Sequence, residues 1–190
     1  MEKTNMGCAI TGSFCTHEEI LKWIQGLINS GYNVYPIVSE TTAHTSTRFG
    51  EAEQFLQNLE NITHHKPFQS IVGVEPTGPQ NLFDILVVAP CTGNTLAKIA
   101  NGINDTAVTM AVKAHVRNNK PVVIGISTND GMGLNFKNLG LLFAAKNFYF
   151  VPFGQDDFAK KPKSLVADWA QLETTIEQAK NGVQIQPVLV

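Results

Sequence analysis

A doubly wound, mostly parallel α/β sheet is the predicted fold, a Rossmann-like or flavodoxin-like three-layer sandwich, and three observations predict it. Strand and helix patterns alternate along the chain. The run Ile85-Leu86-Val87-Val88-Ala89 has no polar residue to face water, which suits a strand covered by helices on both sides. Three strands end in loops of Gly, Ser, Thr and Asn, and in open parallel sheets ligands lie beyond the carboxyl ends of the strands.

Taken in order, residues 6–11 (Met-Gly-Cys-Ala-Ile-Thr) form a short buried strand, and residues 12–16 a tight loop. Thr16 and Glu19 have capping-box spacing at the start of a helix that carries Ile20, Leu21, Ile24, Leu27 and Ile28 and ends at Gly31. Residues 33–38 are a second strand, and Pro36 suits an edge or a bulge. The polar loop 39–43 leads to a helix containing Phe49, Ala52, Phe55, Leu56 and Leu59. Residues 68–74 read as a short strand, and 75–79 as a loop. Residues 85–89 are the central strand, stopped by Pro90, which has no N–H for the ladder. Helices follow over 95–101 and 106–118, separated by Gly102. A strand over 121–126, the loop 127–133, a helix over 135–146 and a last strand over 147–152 come next. Residues 154–163 are irregular, with Lys160-Lys161-Pro162-Lys163 a solvated turn, and a helix over 164–180 closes a single domain, 1–190.

Composition excludes several function classes. A net charge of −2 offers no field to gather nucleic acid or an anionic membrane surface. No apolar run approaches a membrane span of roughly 20 residues, and Met1 to Asn5 open no signal peptide. Cys8, Cys15 and Cys91 are odd in number and lack metal spacing, so no metal site is expected and a reducing cytoplasm fits. Only 16% of residues are charged, which suits a surface partly hidden in a homo-oligomer.

The residues after the central strand carry the sharpest signal. Thr92, Gly93, Asn94 and Thr95 bring hydroxyls, an amide and bare backbone to a helix start, where unpaired N–H groups suit an anion. Gly12 and Ser13 lack a dinucleotide or P-loop signature. Together with Ser39, Thr41 and Thr42 they nonetheless offer a phosphate two neighbouring hydroxyl-rich loops, a reading favoured here over plain turn chemistry. Cys91 reads as small apolar packing rather than a nucleophile, since no His or Asp stands at motif spacing. Asn94 is a helix cap, a ligand contact, or both, and Lys98 reads as solvated helix surface. His64-His65 read as exposed loop, and His17, His44 and His115 as isolated. No general base stands out, which a cofactor that carries the chemistry would explain.

These residues resemble the flavoprotein family of homo-oligomeric FMN-containing cysteine decarboxylases. The family's Pro-Ala-Ser-Ala-Asn-Thr appears as Pro90-Cys91-Thr92-Gly93-Asn94-Thr95, and its continuation as residues 97–105. Its opening Ile-Thr-Gly-Ser is matched by residues 10–13, and its Pro-x-Met-Asn-x-x-Met loop, loosely, by residues 126–132. The likeness spans roughly the first 150 residues. It implies an FMN whose phosphate is held by Gly12, Ser13, Ser39 and Thr41, with Phe14 beside it. The flavin and substrate side would be lined by Ala89, Pro90, Cys91, Thr92, Gly93 and Thr95. Asn94 and Asn129 would each meet a substrate carboxylate, in a trimer or dodecamer with flavin where protomers meet. Two departures stand against cysteine decarboxylation: residues 74–79 hold no His, and Ile126 and Thr128 replace the lid loop's Pro and first Met.

Within the family the resemblance is to the flavoprotein component of a two-component oxidoreductase in the mother cell of sporulating bacteria. It implies oxidation of a small cyclic dicarboxylate. NADP would be bound by a separate partner protein, since this chain has no dinucleotide fingerprint. The rivals are an FMN-dependent decarboxylase or prenyltransferase acting alone, and a non-catalytic scaffold. Three adjoining strand tips enclosing one site are the expectation on which the reading rests.

Overall fold

The computed structural model describes residues 3–190; Met1 and Glu2, part of the stretch expected not to be a leader, lie outside the described residues. Five strands run parallel: β1 (Asn5–Ile10), β2 (Asn33–Val38), β3 (Ile85–Cys91), β4 (Val122–Thr128) and β5 (Phe148–Phe150). Their order is β2-β1-β3-β4-β5, so β2 is an edge, as Pro36 requires. The sheet then gains an antiparallel hairpin, β6 (Phe153–Asp157) and β7 (Lys161–Ala167). Parallel β5 takes residues 122–124 of β4, whereas β7 pairs antiparallel with Ser127 and Thr128 at its far end. A hairpin thus adjoins the loop that leaves β4.

Helices cover both faces, and strand alternation decides which residue meets which layer. Ile85, Val87 and Ala89 point towards α1 (His17–Asn29), α3 (Ala52–Thr63) and α8 (Leu172–Lys180), whose Ile24, Leu59 and Ile176 are fully buried or nearly so. Leu86 and Val88 point the other way, among Leu96 of α5 (Gly93–Ala100), Val108 of α6 (Ala107–Val116) and Leu139 of α7 (Phe136–Ala144). Each such buried aliphatic side chain contributes roughly 1.5–3 kcal/mol. This explains why β3 tolerates no polar residue.

Several sequence expectations need correction. The helix expected over 164–180 begins only at Leu172; residues 164–167 belong to β7, and Trp169 to Gln171 form a single 3-10 turn. Residues 154–163 are likewise the hairpin and its turn, because residues 165–166 find partners on β4. The strand expected over 68–74 is one bridge, Ile37 to Phe68, followed by the short α4 (Ile71–Val74) capped by Ser70. Pro90 shifts the register but does not end β3, since Cys91 pairs again with Ile126. Thr16 precedes α1 without capping it; its hydroxyl donates to the Ser13 carbonyl (2.7 Å). A second short helix, α2 (Glu40–His44), lies before Ala52, and Phe49 stands outside both helices, exposed.

His115 is isolated from other titratable histidines but is not idle. Its ring is buried and bonds the Pro121 carbonyl (Nε2 to O, 3.0 Å), and burial lowers its pKa to about 4. Between that value and 6.5 the unfolded chain binds the extra proton, so stability present above pH 6.5 is lost as pH falls towards 4. Denaturant unfolding across this range should fall by up to about 3 kcal/mol on this account. The slope should be visibly flatter in His115→Gln; identical slopes would refute the assignment.

Candidate functional site

The tips of β1, β2 and β3 are tied to one another by short side chains. Thr11, just past β1, donates through its hydroxyl to the Pro90 carbonyl (2.7 Å) and accepts from the Thr92 N–H (3.0 Å). The Ser39 N–H donates to the Ile10 carbonyl (3.1 Å), and the Ser39 hydroxyl caps α2 by accepting from the Thr42 N–H (3.2 Å). Thr92 caps α5 and accepts from the Thr95 N–H (3.4 Å). The fourth tip joins through Ser13, whose hydroxyl lies 2.7 Å from that of Ser127, near the end of β4. Small hydroxyl residues recur here for different local reasons: Thr11 serves backbone groups of the neighbouring tip, Ser39 and Thr92 cap their own helices, and Ser13 meets Ser127.

Two hollows open above these tips. One, of about 350 Å³, is lined by Gly12, Ser39, Thr41, Thr92, Asn94 and Thr95, with Lys98 at its side. The other, of about 640 Å³, is lined by Gly12, Ser13, Phe14, Thr92, Ser127 and Asn129 and by the β6–β7 hairpin. They share Gly12 and Thr92. Each has the size of a small-molecule site. Lys98 is not free surface: it pairs with Asp105 (2.8 Å), and that bond holds the Asp105 carboxyl below its usual range.

The structure sorts the predicted residues by role. Gly12, Ser13, Phe14, Ser39, Thr41, Thr92, Asn94, Thr95 and Asn129 all line one hollow or the other. Ala89, Pro90, Cys91 and Gly93 line neither. Ala89 and Cys91 are buried in opposite layers of the core, and burial pushes the Cys91 thiol up to about 12, the behaviour of a packing residue. Gly93 is small for a local reason: a Cβ there would sit 2.6 Å from Thr128 Oγ1 and from Asn135 Nδ2. Asn94 is not the helix cap; it stands exposed in the first turn of α5, in the smaller hollow, whereas Asn129 lies in the larger. Among the described residues, neither the Asn94 amide nor the Thr41 hydroxyl is engaged by another side chain or by backbone.

Sequence reading missed part of the site. His17 is buried beneath the first loop, its Nε2 bonded to the Thr11 carbonyl (3.0 Å) and its ring stacked on Phe55 (centroids 4.4 Å apart). Burial holds its pKa below the ordinary value. Asp156, Lys161, Ser164 and Leu165 enter the larger hollow from the hairpin, and no local pattern marks residues brought in by strand pairing to β4. His65 is half buried, stacked on Tyr35 and bonded to Asn33 Oδ1 (2.9 Å), while His64 caps α3 in a left-handed conformation. No group of three or more His, Cys, Asp or Glu suited to a metal occurs among the described residues, and none of their helices is long and apolar enough to cross a membrane.

Known proteins share this fold. A family model described as Flavoprotein matches residues 1–147. The chain is 48% identical over 185 residues, 97% of its length and 92% of the relative's, to the B subunit of dipicolinate synthase from Bacillus subtilis (strain 168). It superposes with a TM-score of 0.90 on the crystal structure of the dipicolinate synthase B subunit from Bacillus halodurans C, 46% identical, covering 98% of this chain and 96% of that one. DmrB of Burkholderia xenovorans, solved in complex with FMN, shares the fold (TM-score 0.70) at 18% identity, over 92% of this chain and 94% of the other.

Proposed function

The chain belongs to the Flavoprotein family, and from that premise we propose that it is the FMN-binding B subunit of a dipicolinate synthase. With the enzyme's NADP-binding A subunit it oxidises dihydrodipicolinate to dipicolinate: the ring loses a hydride to NADP and a proton to solvent. The observation that carries this reading is the pair of hollows meeting at Gly12 and Thr92, lined by hydroxyls and amides. That donor set fits a phosphorylated flavin. Ser39, Thr41 and Thr95 would hold the phosphate, and the larger hollow beside Ser13, Phe14 and Thr92 would take the ring.

Bound there, FMN would supply a two-electron redox centre. The chain's own residues do the positioning. The Asn94 amide and the N–H groups of Asn129, whose Oδ1 accepts from the Ser164 hydroxyl (3.5 Å), would each donate to a carboxylate, and Ser127 and Ser13 would hold the ring edge. Orientation suffices because forming an aromatic product drives the step. Asn94 lines the smaller hollow and Asn129 the larger. The homo-oligomer, trimer or dodecamer, and the mother-cell cytoplasm belong to the same proposal.

Titrating FMN into the purified chain while following flavin fluorescence, then assaying NADPH formation with the NADP-binding protein added, tests it. Saturable binding and activity only with both proteins present are expected. Asn94→Ala should raise the KM for dihydrodipicolinate by about ten-fold, the loss of one hydrogen bond to a charged group. Turnover by this chain alone would favour a decarboxylase or prenyltransferase, and full activity in Asn94→Ala a scaffold.

A further inference from the structure

The larger hollow is completed by residues outside the part of the chain that the family model matches, which ends at 147. The β6–β7 hairpin is pinned over it by main-chain and side-chain bonds. The Met132 N–H donates to the Lys163 carbonyl (3.0 Å), the Ser164 hydroxyl to the Thr128 carbonyl (3.2 Å), and Thr128 pairs with Leu165. Residues 161–163 therefore open β7 rather than forming a solvated turn, though their side chains are exposed. The Lys163 backbone is held by the same loop that carries Asn129.

Charge in this hollow is lopsided. Its charged lining residues are Asp130, Asp156 and Lys161. Lys161 Nζ lies 2.6 Å from Asp156 Oδ2 across the hairpin, with side chains 55% and 38% exposed. An exposed ion pair of this kind adds little stability, so it can be exchanged for another partner at small cost. A dianion entering the hollow meets two repelling carboxylates and one ammonium. Lysine suits the exchange, since its flexible stem carries a compact charge that rotates freely between acceptors.

We propose that Lys161 is a specificity-determining residue that leaves Asp156 to pair with one carboxylate of a cyclic dicarboxylate, while Asn129 donates to the same end of the ligand. This rests on the dipicolinate synthase reading above and adds to it the residue that would separate dicarboxylates from monocarboxylates. Asp156 then acts as a placeholder, keeping the ammonium in the hollow when no substrate is bound.

The test uses the FMN-treated chain together with its NADP-binding counterpart. Dipicolinate and picolinate, its monocarboxylate analogue, are titrated by calorimetry, and the KM for dihydrodipicolinate is measured for wild type, Lys161→Gln, Lys161→Arg and Lys160→Gln. Lys161→Gln should weaken dipicolinate binding and raise KM by about ten-fold, the loss expected for a charge-assisted hydrogen bond. Picolinate affinity, the KM for NADP and FMN affinity should stay unchanged, Lys161→Arg should recover part of the loss, and Lys160→Gln should match wild type. Wild-type values in Lys161→Gln, or equal losses for both ligands, overturn the proposal while leaving the proposed function standing. A wild-type complex that neither binds dipicolinate nor turns over dihydrodipicolinate removes both.

Discussion

Gly12→Val is expected to weaken FMN binding by about 30-fold, equivalent to about 2 kcal/mol, with a much smaller effect on stability. Gly12 is one of the two residues that both hollows share. Even a Cβ there would lie 3.1 Å from Thr41 Cγ2 and 3.6 Å from Phe14 Cε2. The added methyl groups of valine have nowhere to go but the passage between the hollows, where they would separate the phosphate subsite from the ring subsite. The backbone needs no rescue, because Gly12 has no positive φ. Flavin fluorescence quenching and a thermal melt on the same samples measure the two effects apart. A variant that binds FMN as wild type does would show that the ligand does not cross this boundary.

Thr11→Val should produce the largest loss of stability for a change of so little volume. Thr11 is 1% exposed, and its hydroxyl serves two backbone groups at once, the Pro90 carbonyl and the Thr92 N–H. Valine keeps the shape but removes the hydroxyl, so the Thr92 N–H loses its acceptor, while the Pro90 carbonyl keeps only the Thr11 N–H (3.3 Å). At about 1–3 kcal/mol for one buried group left unpaired, a loss of about 1–3 kcal/mol is expected. Pro90 and Thr92 shape the start of α5, so FMN affinity should fall with it. Thr11→Ser, which keeps the hydroxyl, should restore most of both. Equal melts for the Val and Ser variants would mean that the hydroxyl does not hold the tips together.

How legible the molecule was in its sequence depends on the range of the interactions. Residues 33–38 read as a strand and are one, and Ile85 to Ala89 read as buried on both sides and are buried in two layers. In both cases the apolar pattern reports the residue's own burial. The hydroxyl-rich tips were legible for a related reason. Ser39, Thr92 and Thr106 each cap a helix by accepting from an N–H three residues ahead, and such bonds are written locally. Of the two roles the sequence offers Asn94, the cap falls instead to Thr92 two residues earlier, because either residue type suits the position.

What the sequence determined by itself was the alternation of elements, the parallel sheet and the edge on which small hydroxyls gather, since these follow from side-chain period and local capping. Only the tertiary structure decided that residues 164–167 are strand rather than the start of a helix. Leu165, Val166 and Ala167 would bury equally well on either, and pairing with Ser127 and Thr128, far earlier in the chain, settles it. The same pairing brings Lys161 into the hollow that Asn129 lines. Backbone hydrogen bonds between distant segments leave no mark on local hydrophobic period, so residues placed by them are found only once the chain is folded.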